Sequence, residues 1–197
     1  MKQAIRASVA VAALGVALFS SPPVARADGD DTALTNLVAL ASQRIALAEP
    51  VARWKWANHK AIEDQPREAE LLASVEKRAA QAGVDPAFAR TFFEDQIAAS
   101  KDVQNALFAT WRATRPPEGT PPDLATSTRP ALDQLTQKML AALVQIAPLR
   151  DAPDCQARLA RSIANWKTLT RYDASRTQAL GTALSHVCSG GGASAIG

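Results

Sequence analysis

The sequence predicts an all-α protein, a six-helix bundle, on three observations. Apolar residues recur at the 3–4 spacing of a helix along most of the chain. No alternation of apolar and polar residues lasts long enough for a strand. The composition is rich in Ala, Leu, Gln and Arg, with only 9 glycines in 197 residues and 5% aromatics. No internal repeat recurs at a fixed period.

The first helix is expected over about 31–60, with a kink or brief break at Pro50, which lacks a backbone donor. Trp54 and Trp56 in it read as packing residues. Asp64 caps a second helix with Pro66 in its first turn. That helix runs to about Gln81, stops at Gly83 and turns Leu71, Leu72, Val75 and Ala79 inward. Asp85-Pro86 opens a third, to about Thr114, whose seam is Phe93, Ile97, Ser100, Gln104, Leu107 and Trp111. Residues 115–128, rich in Pro and Thr, link two halves of one domain. Arg129-Pro130 starts a fourth helix, with Leu132, Leu135, Met139, Leu143 and Ile146 inward, ended by Pro148 and Pro153. A fifth, about 156–171, uses Leu159, Ile163 and Trp166. A sixth, about 174–188, uses Leu180, Leu184 and Val187.

The ends are expected to stand apart from the fold. Lys2 and Arg6 precede an apolar run from Ala7 to Phe19, and Ala25-Arg26-Ala27 follows, the pattern of a signal peptide covering residues 1–27. The run is too short to cross a bilayer, which takes about 20 residues. The helical domain then spans 28–188, and 189–197 reads as a flexible Gly-rich tail. Removing Lys2, Arg6 and Arg26 leaves 19 basic residues against 19 acidic ones. That balance argues against a nucleic-acid binder, which carries a basic face, and no membrane association is expected once the leader is gone. Cys155 and Cys188, an even pair in an exported chain, read as a disulfide, with two free thiols as the alternative.

Polar residues sit where a bundle places apolar ones. Leu37, Leu40, Arg44 and Leu47 follow a buried seam. Lys55 lies eleven residues on, within about 20° of the same face. Arg67 and Glu68 fall in the first turn of the second helix, where an anion is favoured. Ser100 and Gln104 interrupt the third seam, four apart and facing the same way. Such cations in a seam point to an anionic ligand; snorkelling from a half-exposed seam is the structural alternative, as a register-fixing polar pair is for Ser100 and Gln104. The chain has no P-loop, dinucleotide fingerprint or nucleophile elbow, and its two histidines, His59 and His186, lack metal-site spacing. The set binds a small polyanion.

The ordered set Arg44, Lys55, Asp64 with Arg67-Glu68, Ser100 and Gln104 resembles that of the all-helical chorismate mutases. The leader, the phrases AEPVARWKW and FFEDQIAASK and the paired cysteines are similar to the exported class known from mycobacteria. The resemblance is dense over 44–72 and 84–111 and thin after Leu143. It implies a helical chorismate mutase bundle, an isomerase that rearranges chorismate to prephenate with no cofactor or metal, acting outside the cytoplasm on the route to aromatic amino acids. It implies a homodimer with a site inside each protomer.

By the same resemblance, Arg44, Arg67 and Arg129 would bind the two substrate carboxylates. Lys55 and Gln104 would donate to the ether oxygen from opposite sides. Glu68 would accept from the ring hydroxyl, and Asp64 and Ser100 would complete the pocket. Two departures matter. Some exported members carry Glu where this chain has Gln104, and an amide needs no proton to donate. Some carry Gln where this chain has Leu71, with an apolar residue in place of Glu68. A non-catalytic exported helical protein that binds an anion or a partner is the rival reading.

Overall fold

The computed structural model of the chain describes residues 27–190, with side chains from Asp31 onward. The expected leader, and residues 191–197 of the expected tail, lie outside the described residues. Among the described residues seven α-helices follow in order: α1 (Ala27–Ala46), α2 (Ala48–Ala57), α3 (Gln65–Gln81), α4 (Pro86–Ala113), α5 (Arg129–Ile146), α6 (Cys155–Thr170) and α7 (Ala174–Ala183). No strand occurs among the described residues.

The helix starts expected from Asp and Pro are found. Asp64 accepts the backbone N–H of Arg67, Asp85 that of Ala87 and Asp173 that of Arg176. Gly83 takes φ 75°, the left-handed turn that ends α3 without a side-chain clash.

The expected first helix is two helices, and the break is not at Pro50. It falls at Leu47, and Pro50 sits in the first turn of α2. A proline ring clashes with the carbonyl four residues earlier. The ladder therefore yields upstream, where the proline's missing N–H coincides with a helix start that leaves its first donors free anyway.

The last helix is shorter than expected, ending at Ala183 rather than near 188. Residues 184–188 fold into turns that bring Cys188 back to Cys155. The two are disulfide-bonded, with Cα atoms 5.9 Å apart. The tail also begins in ordered chain, since Ser189 donates its N–H to the Arg150 carbonyl at 3.0 Å.

Helix α4 is the centre of the bundle. It packs on α7, α3, α2 and α1, while α1 packs on α5 and α6. The main core gathers Leu34, Leu37 and Ile45 from α1, Phe92 and Phe93 from α4, Met139, Leu143 and Ile146 from α5, Leu159 and Ile163 from α6, and Leu180 from α7, each no more than 2% exposed. Burial of each such side chain contributes about 1.5–3 kcal/mol. A smaller cluster lies at the far end of α4, where Trp56 of α2 meets Phe108 and Trp111 edge-on, with ring centroids 5.0 and 5.6 Å apart. It clamps α2 to α4 one residue beyond Lys55. Polar ties fix the outer helices: Arg158 of α6 holds Asp31 of α1 at 2.8 Å, and Arg176 of α7 holds Glu49 of α2 at 3.1 Å.

Replacing both cysteines by serine should lower the unfolding free energy by about 3–4 kcal/mol, because the bond closes a 33-residue loop. Urea denaturation followed by circular dichroism measures this. An unchanged midpoint would show that the disulfide adds nothing to α6–α7 docking.

Candidate active site

A cavity of about 140 Å³ opens between α1, α2, α3, α4 and the start of α5. All eight site residues expected from the sequence line it: Arg44, Lys55, Asp64, Arg67, Glu68, Ser100, Gln104 and Arg129.

Arg44 stands in the last turn of α1 and is only 7% exposed. Its Nε and Nη1 are buried without a hydrogen-bond partner. Burial lowers its pKa to about 10, with Asp133 opposing that shift and Arg67 adding to it. Snorkelling does not describe this residue. Its guanidinium is held in the protein, and the residue lines the cavity.

Lys55 lies in the last turn of α2, and its Nζ donates to the carbonyl of Ile62 in the link to α3. Its pKa is lowered by burial, partly offset by Asp64 and Glu68, while Lys101 adds to the lowering. One N–H of the ammonium is committed to Ile62, which leaves two to face the cavity.

The start of α3 is a reciprocal cap. Asp64 accepts from the Arg67 N–H at 3.3 Å, and Glu68 Oε1 accepts from the Asp64 N–H at 3.2 Å. This fixes Glu68 against the pocket wall. Arg67 reaches outward: its Nη1 meets Glu70 at 2.7 Å, its Nη2 lies 3.6 Å from Asp133, and its side chain is 43% exposed. Of the three expected cations, Arg67 alone keeps the wet character of a snorkelling residue.

From α4, Gln104 Nε2 donates to Ser100 Oγ at 3.1 Å and to the Ser100 carbonyl at 3.2 Å. Gln104 is 3% exposed, and its Oε1 is buried without a partner. The pair is therefore a pocket wall and not a link between helices. Arg129 is exposed and opens α5 directly after a π-helical turn, Leu124–Thr128. Such turns shift helical register and recur at functional sites. Here the turn brings Leu124, Thr128 and Arg129 to the cavity together.

Sequence reasoning missed Lys101, Asp133 and Thr136, which also line the cavity. The signal was present. Lys101 is four residues after Ile97 and three before Gln104, on the same face, and Asp133 and Thr136 are four and seven residues after Arg129. With them, five cations (Arg44, Lys55, Arg67, Lys101, Arg129) face three carboxylates (Asp64, Glu68, Asp133), a formal excess of two positive charges. Leu71, Val51, Ile62, Ile97 and Leu132 supply apolar wall.

The helical bundle thus lines one cavity with a formal excess of two positive charges and with amide and carboxylate groups between apolar walls. The profile of the family Chorismate mutase type II matches residues 34–105. The secreted chorismate mutase of Mycobacterium tuberculosis is 36% identical over 170 residues, covering 85% of this chain and 83% of that protein. The secreted chorismate mutase of Mycolicibacterium smegmatis is 34% identical, covering 92% and 98%. A crystal structure of chorismate mutase from Burkholderia thailandensis superposes with a TM-score of 0.78 at 77% identity, covering 80% of this chain and 99% of that one. The chain belongs to the chorismate mutase family.

Arg44→Met should raise the melting temperature of the ligand-free protein, by an amount corresponding to about 1–2 kcal/mol, because it removes buried donors left without partners. The same change should abolish dianion binding. Calorimetric melting checks the first effect. A less stable Met variant would mean that the guanidinium is satisfied in the empty pocket.

Proposed function

We propose that this cavity rearranges chorismate to prephenate, and that the residues lining it do so without a covalent intermediate. The reaction is intramolecular and pericyclic. The protein must hold the substrate in its compact diaxial form and stabilise negative charge that grows on the ether oxygen as the C–O bond breaks. The observation that carries the reading is that Lys55 and Gln104, two donors from different helices, face one cavity together with Arg44 and Arg67.

In this reading Arg44, Arg67 and Arg129 take the two carboxylates. Arg44 lines the cavity with two donors, Nε and Nη1, that lack a hydrogen-bond partner. Arg67 exchanges its loose 3.6 Å contact with Asp133 for a substrate carboxylate. Lys55 gives its remaining N–H groups to the ether oxygen, where a low-dielectric wall strengthens the interaction as charge develops. Gln104 exchanges one of its two amide hydrogen bonds to Ser100 for the same oxygen and keeps the other. Glu68 accepts from the ring hydroxyl, and Asp64 holds Glu68 through its backbone N–H. Leu71 offers that hydroxyl no hydrogen bond, so the carboxylate one helical turn before it takes the contact.

We read the protein as exported. The relatives from mycobacteria are named secreted enzymes, and residues 1–27 have the form of a leader. The active unit is read as a homodimer from the resemblance to the exported class; one chain supplies every lining group named above, so each protomer would carry a complete site.

The purified protein should consume the ultraviolet absorbance of chorismate and yield prephenate. Binding without turnover would favour a non-catalytic, anion-binding relative. Lys55→Ala should raise the barrier by on the order of 3–4 kcal/mol, the effect of losing one oxyanion donor, while circular dichroism stays helical. Near-normal turnover in that variant would sink the role of Lys55.

The pH profile is a further check. Gln104 carries no titrating proton, so kcat/KM should be flat from mildly acidic to neutral pH. Lys55 must stay protonated and its pKa is lowered, so the rate should fall on the alkaline side, below the ordinary lysine value of 10.5. A rate that collapses above mildly acidic pH would contradict this assignment.

A further inference from the structure

We propose that Lys101 is a positioning residue for the reaction: it holds Glu68 in its hydroxyl-accepting orientation and cancels the charge that Glu68 would otherwise present to a dianionic substrate. The inference rests on the chorismate reading of the pocket and deepens it.

Glu68 is a carboxylate inside an anion-binding cavity, and its side chain is only 23% exposed. Alone, it would repel both carboxylates of the substrate across a pocket of about 140 Å³, where solvent screening is weak. It is not alone. Lys101 Nζ lies 2.8 Å from Glu68 Oε2, and its own side chain is 28% exposed. The other oxygen, Oε1, takes the Asp64 N–H. Both oxygens are thus fixed in space, and each keeps a lone pair for the substrate hydroxyl. Glu63, at 4.0 Å from Lys101, is a distant second partner.

The geometry separates Lys101 from a surface cation. It lines the cavity between Ser100 and Gln104, on the helix that carries both. Its main partner comes from another helix, 33 residues earlier in the chain. The pocket's excess of two positive charges, which matches a dianion, exists only when Lys101 is counted. Without it, one unit of the attraction for substrate is lost, and half-buried Glu68 keeps only the field of Lys55 as compensation.

The test is a double-mutant cycle on the full protein with Lys101→Met, Glu68→Gln and both together, plus Lys101→Arg. Steady-state kinetics with chorismate gives kcat and KM, and calorimetry gives the chorismate Kd. Lys101→Met should lower kcat/KM roughly 30-fold or more, mostly through KM. Lys101→Arg should recover most of that loss, because it retains the charge. The double variant should lose much less than the product of the two single losses, because the neutral amide needs no counter-ion.

Kinetics like those of the wild type in Lys101→Met would overturn the proposal. So would losses that multiply in the double variant, since the two residues would then act independently. If Lys101→Met does not fold, as judged by circular dichroism, Lys101→Gln takes its place in the cycle. Wild-type protein that binds chorismate without turnover would sink the mutase reading while the Kd cycle still judges Lys101. Wild-type protein that neither binds nor converts chorismate would overturn both.

Discussion

The structure depends on keeping a guanidinium dry. Arg44 occupies a core position of α1, with Nε and Nη1 unpartnered. Each buried donor left unpaired costs about 1–3 kcal/mol. The same helix face carries Leu34, Leu37, Val38 and Ile45, none more than 2% exposed, and each contributes about 1.5–3 kcal/mol on burial. The apolar face therefore outweighs the arginine and holds it in place. The pocket follows from that arrangement. The break at Leu47 starts α2 where Lys55 can reach the cavity, and the Trp56 cluster fixes its depth.

The cations are spaced so that no single carboxylate satisfies them. Asp133 lies 3.6 Å from Arg67 and is the largest influence holding up the pKa of Arg44 against burial. Glu68 answers Lys101. Over the whole lining the formal excess is two positive charges, the charge that the proposed dianionic substrate would balance. An electrostatic frame built in advance does not have to reorganise when charge moves in the bound molecule. That suits a reaction in which the protein forms no bond of its own.

Much of this was legible in the sequence because its causes are local. Asp64, Asp85 and Arg129-Pro130 announce helix starts through capping and proline chemistry within four residues. Arg44 and Gln104 were legible because a polar residue in an apolar seam is costly and calls for a reason. The break at Leu47 was misplaced because a proline strains a carbonyl four residues away, and where the ladder yields depends on neighbouring packing. The end of α7 was misplaced because the helix gives way to turns before Cys188 meets Cys155, and where a helix yields to a tertiary link is not set by its own residues. Lys101 escaped because a lysine on a half-exposed face usually faces water, and the glutamate that gives it meaning lies on another helix.

The two halves of the chain answer to different demands. Residues 44–104 carry seven of the eight expected pocket side chains, and the family profile spans 34–105. Beyond Thr136, no residue reaches the cavity among the described residues. Helices α6 and α7, stitched together by Cys155–Cys188, serve the pocket only as a buttress behind α1 and α4. A buttress needs volume and an apolar face, and many side chains of similar size meet that requirement. This half therefore tolerates exchanges of side chains of like volume that the charged half, where position and charge are both set, does not.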